Sequence, residues 1–265
     1  MNDAVLYDLT DNVATLTLNR PEALNAFNGD MRRRLIELTG RLEDDDSIRC
    51  VVLQGAGDNF CAGGDIKMFR EALDLDSEAR RRKYREFLHI THIAMLSLAR
   101  LPVPVIARVK GAAAGIGFSF VLAADLAVAS DDAMFALAYN QLGVSPDGSS
   151  TFFLPRTVGL KKAKEISFLG ERFDADTAQS LGIVNKVVPA ADLDATVADM
   201  AARIAKGATK AFGRTKALFN ASVHSTLSEQ LEAEVEQFAA SAATEDFVEG
   251  VTAFVEKRAP VFKGR

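Results

Sequence analysis

Apolar and polar positions switch period several times along the chain. Val13-Ala14-Thr15-Leu16-Thr17-Leu18 is rich in β-branched residues and alternates, which predicts a strand broken by Asn19-Arg20-Pro21. From Asp30 onward the spacing lengthens. Met31, Leu35, Leu38 and Leu42 recur four, three and four apart, placing them on one face of a helix. Cys50-Val51-Val52-Leu53 is a short apolar run that predicts a buried strand, ended by Gly55-Ala56-Gly57. Further strands are expected over 103–109, 126–129 and 183–188, with helical patterns over 78–98 and 161–169 between them. Strands separated by helices predict an α/β core with parallel pairing.

After Pro189 the strand signals stop. The segments 190–205, 210–219, 227–243 and 245–256 all read as helix. A boundary is therefore expected near residue 200, with an α/β core over 1–200 and a helical region over 201–265. That tail keeps Phe212, Leu218, Phe219, Leu227, Leu231, Val235, Phe238, Phe247, Val251, Phe254 and Val255. A short helical segment cannot bury so many apolar side chains within itself, so contact between subunits is expected.

The chain has 265 residues, enough to bury a large core without a disulfide staple. Its net charge of −5 argues against nucleic acid as the main partner, because phosphate neutralisation needs a basic surface. Cys50 and Cys61 have no metal-binding spacing, and a reducing cytoplasm suits them. Asp3, Asp8 and Asp11 interrupt the first fifteen residues, so no export leader is expected there. The longest uncharged run, 111–124, is too short and glycine-rich to span a bilayer. Taken together, these features predict a soluble, cytoplasmic protein with no membrane partner.

Three glycine-containing loops could carry chemistry: 60–67, 111–119 and 142–148. Each has ordinary turn composition. The first two also follow a predicted strand and open a predicted helix, where unpaired N–H groups gather. Two such groups converging on one oxygen would form an oxyanion hole. Gly115-Ile116-Gly117 lacks the third glycine of a dinucleotide fingerprint. His89 and His92 lie three apart on one predicted helix with no third ligand nearby, so no metal site is expected. Arg80-Arg81-Arg82-Lys83 reads as a solvated helix face, or as charge placed near phosphates.

The run Asn19-Arg20-Pro21-Glu22-Ala23-Leu24-Asn25-Ala26-Phe27, the 60–67 loop, 110–125, 142–159 and the ending at 249–258 together resemble the enoyl-CoA hydratase/isomerase (crotonase) superfamily in order and spacing. Within it the chain is similar to ring 1,2-epoxyphenylacetyl-CoA isomerases and other enoyl-CoA isomerases. The resemblance implies a spiral of β-β-α units with a C-terminal helical trimerisation region, assembled as a homotrimer or homohexamer. It implies that the N–H groups of Gly64 and Ile116 hold a thioester oxygen. Ala23, Leu24, Ala62, Gly63, Asp65, Ile66 and Lys67 would line the groove for coenzyme A. Phe254 and Lys257 would approach it from a neighbouring subunit. No metal or redox cofactor is implied, since the thioester of an acyl-CoA substrate is itself the electron sink.

The departures from the family pattern are informative. Hydratases of the family use two glutamates to position and deprotonate water; here those places hold Ser119 and Tyr139. Neither is a good base near pH 7. Asp147 stands where dienoyl-CoA and epoxyphenylacetyl-CoA isomerases carry a catalytic aspartate, although an aspartate at a helix start is also a good N-cap. Leu142, Val144 and Phe152 are expected to desolvate it. His92 falls near a functional histidine of 4-chlorobenzoyl-CoA dehalogenases. Those enzymes carry a tryptophan at the Tyr139 position, and this chain has none. The expected activity is an enoyl-CoA isomerase with Asp147 as acid/base. The alternatives are an enoyl-CoA hydratase (a lyase) or a catalytically silent acyl-CoA binder.

Overall fold

The computed structural model describes residues 4–265; Asp3 of the N-terminal reading lies outside them. The first half of the chain contains β1 (Val5–Thr10), β2 (Val13–Leu18), α1 (Gly29–Glu43), β3 (Cys50–Gly55), α2 (Ile66–Glu71), α3 (Ser77–Arg100), β4 (Val105–Val109), β5 (Ala112–Ala114) and α4 (Ile116–Ala123). It continues through β6 (Leu126–Ser130), β7 (Met134–Ala136), α5 (Ser150–Val158), α6 (Leu160–Leu169), β8 (Phe173–Asp174), α7 (Ala175–Ser180) and β9 (Lys186–Val188). Four helices end the chain: α8 (Leu193–Ala205), α9 (Thr209–Ser222), α10 (Leu227–Ala242) and α11 (Glu245–Glu256).

The large sheet has the order β1-β2-β3-β4-β6-β9 and a small one β5-β7-β8. β1 and β2 pair antiparallel, and every later pairing in the large sheet is parallel. The chain therefore winds as a spiral: β4 enters the large sheet, β5 the small one, and α4 follows; β6 and β7 then repeat the pattern. Single bridges Cys61↔Ala113 and Phe27↔Gly64 extend the small sheet toward earlier turns of the spiral. The 61–64 loop and β5 thus occupy equivalent places in successive turns, each leading into a helix.

The predicted helix faces are buried as expected. Met31, Leu35, Leu38 and Leu42 of α1 lie in the core. Phe118 of α4 packs edge-on against Phe135 and Phe173, which locks α4 to the small sheet. Burial of such apolar side chains, at about 1.5–3 kcal/mol each, is what holds the two sheets together.

Several boundaries differ from the sequence reading. The strand expected over 183–188 shrinks to Lys186–Val188, because the Ile183 and Val184 N–H groups both close α7 by donating to Ala178. The division near residue 200 falls inside α8. Leu193, Val197 and Ala201 pack on Cys50, Val52, Ile106 and Val128, so this helix covers the large sheet and belongs to the α/β body. The helical region proper begins at α9. Its attachment is polar: Lys216 Nζ reaches Asp125 at 2.8 Å, and Asp125 also accepts from the Val105 N–H at 2.8 Å. Phe219, Leu227, Phe238 and Phe254 remain largely exposed there. Among the described residues no helix is long and apolar enough to cross a membrane, and no cluster of three metal-ligating side chains occurs.

Candidate active site

Three chain segments meet where the small sheet hands over to helices. The first is the turn after Arg20. A short 3-10 turn, Pro21–Ala23, leads into Leu24 and Asn25, both left-handed. Asparagine tolerates that conformation better than most residues. The buried Asn25 side chain donates to Ala56 O and Asn59 O and accepts from the Arg20 N–H, which fixes the turn. The turn is then stitched to the second segment. Ala62 N donates to Leu24 O at 3.0 Å, Phe27 N to Gly63 O at 2.8 Å, and Asp65 N to Phe27 O at 3.0 Å. Ala23, Leu24 and 62–67 are therefore joined into one continuous stretch of backbone. Leu24, Ile66 and Lys67 are exposed on it. Asp65 is committed elsewhere: it pairs with Arg20 at 2.9 Å and caps α2 by accepting from Lys67 N.

The third segment is β5 to α4. A Cβ added to Gly115 would stand 3.5 Å from the Gly63 Cα, so the two loops touch. Gly63 and Gly115 both have positive φ, at +119° and +52°, where a side chain is strained. Gly64 and Ile116 are the residues that directly follow this contact. Among the described residues neither donates to a protein acceptor. A pair of free backbone donors at adjacent loop–helix junctions can hold one oxygen that gains negative charge.

Asp147 lies against the same helix. A Cβ at its neighbour Gly148 would stand 3.2 Å from Ile116 Cγ1 and 3.1 Å from Ser119 Cβ. The N-cap reading of Asp147 does not hold. α5 starts after Ser149, and the Asp147 carboxylate accepts instead from the Tyr139 hydroxyl. Only its backbone carbonyl faces α5, accepting from Ser150 Oγ at 2.9 Å, and it also accepts from Ser119 Oγ at 3.2 Å. Burial raises the Asp147 pKa above the ordinary carboxylate range; the Tyr139 hydrogen bond and the charge of His92 pull the other way. Leu142 and Val144, expected to enclose Asp147, stand about half exposed. Tyr139 is raised too, by burial first and then by the Asp147 charge.

The two glutamate places of the hydratases, Ser119 and Tyr139, are thus brought together with Asp147. The cluster contains one carboxylate. Cys61 sits beneath the loops, but burial pushes its thiol up to about 11, so it is neutral near pH 7. Phe254 and Lys257 are not brought to this site within one chain. They lie at the end of α11, where Phe254 helps line a separate groove of about 440 Å³ between the C-terminal helices. Arg81 and Arg82 face solvent, as expected of a solvated helix face. The hydrogen bond from Tyr139 to Asp147 has no sequence signature, because seven residues separate the pair and the turn that joins them reverses at the left-handed Gly143.

Residues 8–265 match the enoyl-CoA hydratase/isomerase family. The chain is 36% identical to 1,2-epoxyphenylacetyl-CoA isomerase of Escherichia coli (strain K12), with 100% of both chains covered. It is 34% identical to short-chain-enoyl-CoA hydratase of Clostridium acetobutylicum, over 96% of this chain and 95% of that one. The crystal structure of an enoyl-CoA hydratase from Polaromonas sp. JS666 superposes with a TM-score of 0.91 at 34% identity, covering 98% of this chain and 99% of the other. The fold is that of the crotonases, and the chain belongs to the enoyl-CoA hydratase/isomerase family.

Proposed function

We propose that the protein is an enoyl-CoA isomerase. Asp147 takes a proton from the carbon alpha or gamma to an acyl-CoA thioester. The electron pair of the broken C–H bond moves onto the thioester oxygen, which the Gly64 and Ile116 N–H groups hold as an enolate. The proton then returns at the other end of the conjugated system, so the double bond shifts and nothing is added or lost. The observation that carries this reading is the composition of the Ser119–Tyr139–Asp147 cluster. It has a single carboxylate, partly buried and with a raised pKa, as suits a base that must give its proton back. Ala23, Leu24, Ala62, Gly63, Ile66 and Lys67 would receive the coenzyme A moiety, with Asp65 holding their loop in shape.

The test is Asp147→Asn assayed with a 3-enoyl-CoA. Isomerisation should fall by about 10²-fold or more while CoA-ester binding persists. Deuterium wash-in at the alpha carbon should fall with it. Normal exchange and turnover in the variant would sink the assignment. The 34% identity to a short-chain-enoyl-CoA hydratase favours hydration as the second reading, and a product carrying a new hydroxyl would select it. Absence of turnover with every enoyl-CoA offered would leave a silent acyl-CoA binder.

The same reading includes assembly as a homotrimer or homohexamer through the exposed apolar positions of α9 to α11. Phe238→Asp should then dissociate the assembly in sedimentation. A monomeric parent chain would exclude it.

A further inference from the structure

Ala138, immediately before Tyr139, and Ser149, two residues after Asp147, are both left-handed without being glycine, with φ of +60° and +75°. Each such position costs of order 1–3 kcal/mol and persists only where its surroundings hold it. Gly148 between Asp147 and Ser149 is left-handed as well. These turns aim two side chains eight residues apart at one another, and the Tyr139 hydroxyl donates to Asp147 Oδ1. Among the described residues no side chain of another residue hydrogen-bonds Asp147 Oδ2.

We propose that Tyr139 is the positioning residue for Asp147, occupying Oδ1 and leaving Oδ2 as the one oxygen that exchanges a proton with the substrate. This rests on the isomerase reading above. An aspartate with both oxygens open could rotate between two poses. Held by one oxygen it presents the other in a fixed direction, and a fixed direction is what proton transfer to a carbon acid requires. Donation by the tyrosine also favours the charged carboxylate, countering part of the desolvation that burial imposes. The titratable groups that bear on Asp147 are Tyr139 and, from α3, the exposed His92. α4 and α5 present only the hydroxyls of Ser119 and Ser150, both to the Asp147 carbonyl.

The pairing can be read without any assay of turnover. Carboxyl-labelled aspartate gives a carbon resonance for Asp147, identified by its loss in Asp147→Asn. In Tyr139→Phe the titration midpoint of that resonance should rise by about one pH unit, because a donor to the charged form has been removed. Replacing the chain's three tyrosines with 3-fluorotyrosine, a stronger donor that keeps the ring, should move it down. The second experiment guards against poor folding of the phenylalanine variant. Both are repeated with His92→Gln, so that titration of the imidazole is not mistaken for the effect. The acid limb of the isomerisation profile should follow the same shifts, with kcat lowered about 10-fold and KM little changed. A midpoint that moves in neither experiment overturns the pairing, whatever the activity. A midpoint that moves while Asp147→Asn isomerises normally overturns the proton-shuttle reading instead, and with it the part of Tyr139 in the reaction.

Discussion

Gly117 lies so close to Cys61 that a Cβ on it would stand 2.1 Å from the Cys61 carbonyl oxygen and 2.8 Å from the Cys61 Cβ. That same carbonyl accepts from the Ala114 N–H at 2.9 Å, so it cannot swing away without releasing β5. The contact is backbone against backbone, and it sets the spacing between the two loops that end in Gly64 and Ile116.

Gly117→Ala should therefore force those loops apart. Overpacking of this kind costs about 1–3 kcal/mol, which a chain of this length can survive. On the proposed isomerase reading, the folded variant should show a lower kcat with CoA-ester binding largely kept, because the Gly64 and Ile116 N–H groups would no longer share one oxygen. Removing a single oxyanion donor costs about 10²–10³-fold in kcat, and misplacing one should approach that. Unchanged turnover in a folded Gly117→Ala protein would show that the loop spacing is not critical.

Arg20 makes the corresponding link on the other side. Its guanidinium pairs with Asp65 and donates to Ala26 O at 2.6 Å, with both charged side chains mostly buried. Arg20→Ala leaves Asp65 without its cation and the turn without its brace. A loss of about 1–3 kcal/mol is expected, since hydrogen bonds between charged groups are the costly ones to break. Denaturant midpoints with unchanged slope would measure it. The KM for CoA esters should rise as well, because Leu24 and Ala62 depend on the same turn.

The sequence makes β2, β3, β4 and β6 and the long helices visible, because runs of apolar positions announce them, whereas β9 keeps only three residues of the run that announced it. The small sheet was not visible. β5, β7 and β8 are two or three residues long, too short for any period. β1 was overlooked although its turn was written plainly: Asp11 and Asn12 both have positive φ, as a tight hairpin requires. At the site, glycines mark the two loops that meet at Gly63 and Gly115, but the strain at Ala138 and Ser149 has no sequence signal. Alanine in a left-handed turn is held there by the surrounding packing, not by its own preference.

Hydration offers an independent check on the cluster. Ser119 is fully buried and Tyr139 is held with its proton on, so neither can deprotonate water near pH 7. Each missing acid–base group should cost about 10²–10⁴-fold. Hydration of a 2-enoyl-CoA, followed by loss of the conjugated thioester absorbance, should therefore be slow beside isomerisation of a 3-enoyl-CoA. Equal rates would mean that Asp147 alone activates water.

The raised pKa of Asp147 also has a consequence for stability. The folded protein binds the Asp147 proton more tightly than the unfolded chain, in which the group returns to the ordinary carboxylate range near about 3.9. Between that value and the higher folded one, the native state carries more protons, so stability falls as pH rises through the window. Below the unfolded pKa the group costs nothing, and at neutral pH the buried charge is a standing penalty. Asp147→Asn removes the charge and keeps an oxygen that can accept from Tyr139. Its melting temperature at pH 7 should exceed the parent's, by about 2–4 °C for each kcal/mol recovered. The gap should close as pH is lowered toward 4, while activity in the variant stays lost throughout. Thermal unfolding of both proteins across that range measures it directly. A variant that is less stable at pH 7 would mean that the ionised carboxylate is a net support of the fold, and the desolvation argument for its basicity would fail with it.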